Sequence, residues 1–175
     1  LPEAFLDTPI DFDSLKEEAL WESLRDAQID LAIQGGIGIL TPEMLEVPRI
    51  GFVNVHPGRL PEYKGNTCPE WALYNGDPIF ATAHIIDAGI DTGPVVCEGR
   101  YEVPADWDYF ELRANLYRHC AHVLINALKI LNVASDNPHS VLTVQDPDAG
   151  HYWTPIPEDK LATVIQKNKG TRKGL

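Results

Sequence analysis

Two short stretches of the sequence carry residue types suited to acid–base chemistry. The first is Phe52-Val53-Asn54-Val55-His56-Pro57-Gly58. Side chains two apart on a strand share a face. Asn54 and His56 therefore point one way, and Val53 and Val55 point the other way into packing. Pinned by Pro57, such a pair can aim two hydrogen-bond donors at one small target. A pair that only bonds its neighbouring loop has the same spacing, so both readings stand at this point. The second stretch is Asp87-Ala88-Gly89-Ile90-Asp91-Thr92-Gly93, two Asp and two Gly in the composition of a turn. Asp91 follows His56 by 35 positions, enough chain to return to the same sheet edge. An Asp beside a His favours the imidazolium and fixes the ring.

The elements that must position these residues follow from patterning. Ser14 and Glu17 have capping-box spacing, and Leu15, Ala19, Leu20, Leu24 and Ala27 line one helical face through residue 28. A short strand is expected at 29–33, then a Gly-rich turn from Gln34 to Leu40. Pro42 opens a short helix, and a second strand spans 50–56. Thr67-Cys68-Pro69 starts a helix that Asn75-Gly76 ends. Strands are expected at 80–86 and 94–101. Asp106 or Asp108 caps the longest helix, about 109–131, with the seam Leu112, Leu116, Cys120, Val123, Ala127 and Leu131. A further strand is expected at 141–144. This order predicts an α/β fold with a mainly parallel sheet and a site beyond the carboxyl ends of its strands.

Composition narrows the function. The chain has 175 residues, 26 acidic against 14 basic, for a net charge of −12. That opposes nucleic-acid binding, which relies on Lys and Arg against phosphate. No apolar run approaches the ~20 residues of a membrane span, and no signal segment opens the chain. Cys68, Cys97 and Cys120 form no CxxC pair. They predict reduced thiols and a cytoplasmic location. His119 and His122 lie about one helical turn apart but lack a His-Glu-x-x-His pattern, so no metal is expected. His84, alternating within its strand, is read as structural.

The stretch from Asp30 to Val96 resembles the catalytic domain of folate-dependent formyltransferases, the glycinamide ribonucleotide, methionyl-tRNA and sugar-amine enzymes. The resemblance rests on Asn54-Val55-His56-Pro57, Leu60-Pro61, Gly65, Ala72-Leu73, Gly76 and Gly89-Ile90-Asp91-Thr92-Gly93-Pro94. It weakens after about residue 131. Residues 1–131 are therefore read as the catalytic core, and 132–175 as a C-terminal extension of the same domain. The fold implied is a Rossmann-like formyltransferase domain whose N-terminal strands are missing. Where the family often has Ser-Leu-Leu-Pro, this chain has Gly58-Arg59-Leu60-Pro61. Arg59 reads either as a contact for an anionic substrate or as a solvated loop residue.

By resemblance, Asn54, His56 and Asp91 match the family's catalytic trio. Ile37, Gly38, Ile39 and Leu40 match the loop whose backbone receives the folate pterin. Ile86, Asp87, Ala88, Gly89 and Ile90, with Asp91, match the loop covering its other side. The function implied is transfer of a formyl group from 10-formyltetrahydrofolate to a primary amine of a small molecule. Asn54 and His56 would stabilise the developing oxyanion, and Asp91 would help take the amine proton. A 10-formyltetrahydrofolate hydrolase and a folate-binding remnant without turnover are the alternatives. The expected partners are a small-molecule amine acceptor, no nucleic acid and no membrane. A second copy of the chain and the missing N-terminal segment are further candidates.

Overall fold

The computed structural model describes residues 12–36, 38–146 and 148–170. In chain order it contains α1 (Glu18–Asp26), β1 (Leu31–Ile33), α2 (Pro42–Leu45), β2 (Gly51–His56), β3 (Tyr63–Gly65) and α3 (Cys68–Asn75). There follow β4 (Phe80–Ile85), β5 (Val95–Arg100), α4 (Tyr109–Val133), a 3-10 turn (Pro138–Val141), β6 (His151–Trp153) and α5 (Glu158–Lys167). No helix among the described residues is long and apolar enough to cross a membrane.

Four strands form the main sheet in the order β1-β2-β4-β5, and β3 pairs with β6 in a second sheet. The fold is α/β, but the main sheet is mixed rather than mainly parallel. Only β1 and β2 run parallel in it, while β2–β4 and β4–β5 are antiparallel. The reason lies in the connections. A parallel crossover needs roughly a dozen residues or more, and the link from Ile85 to Val95 is shorter, so β4 and β5 close as a hairpin. Between β2 and β4 the chain detours through β3 and α3, then re-enters the sheet at the end where β2 left it.

Helix α4 closes one face of this sheet. Asp108 accepts the Glu111 N–H at 2.9 Å while Glu111 accepts the Asp108 N–H at 2.9 Å, a reciprocal cap. The seam Leu112, Leu116, Cys120, Val123, Ala127 and Leu131 is buried against Val53, Ala81, Ala83 and Val96. Close approach needs Gly99 on β5, where a Cβ would meet Val123 at 2.7 Å. On the opposite face Leu20 and Trp21 of α1 join Leu40 and Phe52 in a second cluster, with Ile86 packed against it. Phe52, Asn54 and His56 alternate with Val53 and Val55, so the polar pair sits on the face away from α4.

Several elements differ from the sequence expectation. Helix α1 begins at Glu18 because the Glu17 carboxylate turns back to accept the Asp13 and Ser14 N–H groups, each at 2.7 Å. In place of a strand at 141–144 there is the 3-10 turn and a single bridge from Thr143 to Val95. Strands β3 and β6 and helix α5 lie outside the sequence expectation. Trp153 of β6 stacks on Tyr63 at 5.5 Å and packs against Trp71 at 4.6 Å, which brings this late segment onto the main core.

Candidate active site

Register places the site. In the β2–β4 ladder Asn54 lies opposite His84 and His56 opposite Thr82. The pairing of β4 with β5 shifts between Ala83 and His84, an irregularity of the kind that re-aims a side chain beside a site. The loop after β4 then carries Asp91 back over these strands. Asp91 has φ of 56°, a backbone region that L residues occupy uncommonly.

The Asp91 carboxylate is shared by two histidines. Its Oδ2 lies 3.4 Å from His56 Nδ1 and accepts the Gly65 N–H at 2.8 Å. Its Oδ1 lies 3.6 Å from His84 Nε2. Asn54 Nδ2 stands 3.3 Å from that same His84 nitrogen. Both rings are buried, His56 at 5 % exposure and His84 at 2 %. His84 Nδ1 is 3.2 Å from the Ile85 carbonyl and His56 Nε2 is 2.7 Å from the Tyr63 carbonyl. A carbonyl only accepts, so both of those nitrogens carry hydrogen. Asn54, His56 and Asp91 are thus brought together, with His84 as a fourth member that strand alternation alone did not mark as part of the site.

The electrostatics follow from burial. Desolvation pulls the His56 pKa below its usual value, and it outweighs the Asp91 charge and the Tyr63 carbonyl, which act the other way. Burial would raise the Asp91 carboxyl. The neighbouring His84 and His56 rings and the Gly65 N–H outweigh it, and the group stays below the ordinary carboxylate range. The Nδ1 lone pair of a neutral His56 then faces a carboxylate, an arrangement that gains by taking up a proton. Donation to an oxyanion is a different matter: in this orientation the Nε2–H of His56 is held by Tyr63, so Asn54, with a second amide hydrogen, is the donor left in the open. The Cys68 thiol is pushed up to about 12 by burial and by the Asp91 and Glu70 charges, which leaves it protonated and not a poised nucleophile.

Gly58 explains the ring's position. A Cβ there would meet His56 Nε2 at 2.5 Å and the Tyr63 carbonyl at 2.7 Å. Arg59 does not face the site: it pairs with Glu98 at 3.3 Å and lies over the Phe80 ring at 4.9 Å. His119 is bound to the Gly99 carbonyl at 2.9 Å and stacks on Tyr101.

The two segments matched to the pterin converge on one floor. Leu40, Phe52 and Ile86 share a cluster. Above it Ile39 is 90 % exposed and Ile90 is 55 % exposed. Gly38, Ile39 and Leu40 form no backbone–backbone hydrogen bond among the described residues. Exposed apolar side chains and an open backbone edge fit a flat heteroaromatic ring. Ile37 lies outside the described residues. Asp87 organises the other wall, accepting from the Gly89 N–H at 3.1 Å and the Thr92 hydroxyl at 2.6 Å; Ala88 and Gly89 lie exposed within it. The cavity that Asn54 lines with Ile33, Gln34 and Leu124 holds about 130 Å³, below the ~300–1,000 Å³ of ligand pockets. It does not include these walls.

Comparison with known proteins identifies the family of the chain. Residues 3–128 match the model of the Formyl transferase family. The methionyl-tRNA formyltransferase of Deinococcus radiodurans is 35 % identical over 156 residues, which cover 84 % of this chain and 48 % of that protein. The chain thus spans about half the length of that relative, and 41 % of the Thermus thermophilus enzyme of the same name. Among solved structures, phosphoribosylglycinamide formyltransferase from Streptococcus pneumoniae TIGR4 is 32 % identical, with TM-score 0.56 over 66 % of this chain and 65 % of that one. The formyltransferase PseJ from Anoxybacillus kamchatkensis, solved with tetrahydrofolate and a UDP-sugar, shares the fold at TM-score 0.60 and 19 % identity, over 87 % and 73 % of the two chains. With 126 of its residues matched by the family model, this chain belongs to the Formyl transferase family.

Proposed function

We propose that this protein transfers a formyl group from 10-formyltetrahydrofolate to a primary amine of a small molecule. The observation that carries the reading is the Asp91 carboxylate set between His56 and His84 beside Asn54. The folate supplies an activated formyl carbon. The Ile39 and Ile90 side chains and the 38–40 backbone would hold its ring. The free hydrogen of Asn54 Nδ2 meets the negative charge that develops on the formyl oxygen, a donor role worth ~10²–10³ in rate. The His56–Asp91 pair receives the proton that the attacking amine gives up, and returns it to the leaving nitrogen. The acidic balance of the chain, −12 at neutral pH, supports a small acceptor over a polyanion. Three free cysteines support a reducing, cytoplasmic setting.

A second reading, methionyl-tRNA as the acceptor, is favoured by the likeness to the Deinococcus radiodurans enzyme. Tetrahydrofolate formation is followed with 10-formyltetrahydrofolate alone, with a panel of amino sugars and glycinamide ribonucleotide, and with methionyl-tRNA. Turnover on a small amine is the expected result. Turnover on methionyl-tRNA alone supports the second reading. Formate release without an amine identifies a hydrolase, and folate binding with no turnover identifies a remnant; either overturns the proposal.

A further inference from the structure

Among the described residues, no group of its own loop hydrogen-bonds the Asp91 backbone. The Asp87 carboxylate braces Gly89 and Thr92, and the Gly65 N–H grips the Asp91 side chain. The peptide carbonyls on either side of Thr92 are held from elsewhere. Gln145 Nε2 donates to the Asp91 carbonyl at 3.1 Å and to the Gly93 carbonyl at 2.6 Å. Both hydrogens of the amide are committed, and an inverted amide would set its oxygen against two acceptors. The Gln145 Oε1 is left buried without a hydrogen-bond partner among the described residues. An acceptor stranded in this way costs stability, so the side chain is kept for its two donors. The chain two residues before Gln145 is fixed as well, because Thr143 bridges to Val95, the residue that opens β5 just after the loop.

We infer that Gln145 is a positioning residue for Asp91: it clamps the positive-φ turn from outside and so keeps the carboxylate facing His56. The inference rests on the reading of Asp91 as part of the proton-accepting pair. It also gives Gln145 a task in the reaction, although it lies 52–54 positions beyond the carbonyls it holds.

The test uses the full-length protein and three variants: Gln145→Met, which keeps length but has no donor, Asp91→Asn, and the double variant. The His56 ring is titrated by NMR. Losing the clamp should lower the His56 pKa toward that of Asp91→Asn, because the Asp91 charge is the largest influence raising it. The kcat of Gln145→Met should fall tenfold or more. In the Asp91→Asn background the same substitution should cost less than twofold, the non-additivity of residues that act as one unit. An unchanged His56 titration, or losses that simply multiply, would overturn the inference. If Asp91→Asn keeps full activity, the catalytic reading fails, while the titration still decides whether Gln145 sets the geometry. Should Gln145→Met not fold, Gln145→Asn carries the same expectation, since the shortened amide cannot span both carbonyls.

Discussion

The backbone carbonyl of Tyr63 takes the Nε2–H of His56 at 2.7 Å, and Gly58 is the residue that lets it. A Cβ at position 58 would overlap both partners. Gly58→Ser should therefore dislodge the ring from Tyr63 and free its Nε2–H. The His56 pKa should fall, because the Tyr63 bond favours the charged ring. Ring-nitrogen NMR shifts read both effects. A variant with an unchanged His56 spectrum would count against this account.

Asp91→Asn removes the charge between the two histidines but keeps an oxygen for the Gly65 N–H. The fold should survive, with kcat lowered about 10²–10⁴-fold, the range for loss of a positioned acid–base group. Steady-state kinetics and a thermal melt check the two halves of this expectation.

Stability should follow pH in two steps. The folded-state pKa of His56 lies below its unperturbed 6.5, so below that pH the unfolded chain binds more protons and stability declines. Asp91 is depressed below 3.8, so its contribution is present above that pH and is lost as pH falls through its folded value. Urea midpoints should be flat above about pH 6.5 if these groups dominate, then drop on acidification. Replacing His56 with Asn should remove the upper step; a step that persists would sink the assignment.

The exposed wall can be tested with little risk to the fold. Ile39→Asp changes a side chain that is 90 % exposed, and such substitutions usually alter stability by no more than about 0.5 kcal/mol. Folate affinity should weaken about tenfold or more, since covering an isoleucine is worth ~1.5–3 kcal/mol. Calorimetry with a reduced folate measures it. Leu116→Ala is the contrasting case: that side chain is fully buried, and its loss should cost ~2–5 kcal/mol in denaturant unfolding with folate affinity kept.

Helix α4 was legible because a cap and a seam of six residues repeat one local rule. The shared face of Asn54 and His56 was legible because strand alternation is also local. The antiparallel turn of β4 into β5 could have been read from the shortness of its loop. The position of the His56 ring could not, since it depends on a carbonyl seven residues later and on the emptiness at Gly58. Strands β3 and β6 have three residues each, too few for any period to show, and they meet only through tertiary contact. The join of His84 to Asp91 belongs to the same class: register put it there, and register is not written in spacing.

The pairing of β3 with β6 sets a clock on the protein's manufacture. Gly65, which hands its N–H to Asp91, lies in register with Trp153, a residue made 88 positions later. At ~5–20 residues per second of synthesis, that partner arrives about 4–18 s after Gly65. During that interval the emerging chain carries Gly65 without the strand that pairs with it. The strand whose Gly65 N–H grips Asp91 is therefore completed by a segment made well after both histidines and the aspartate.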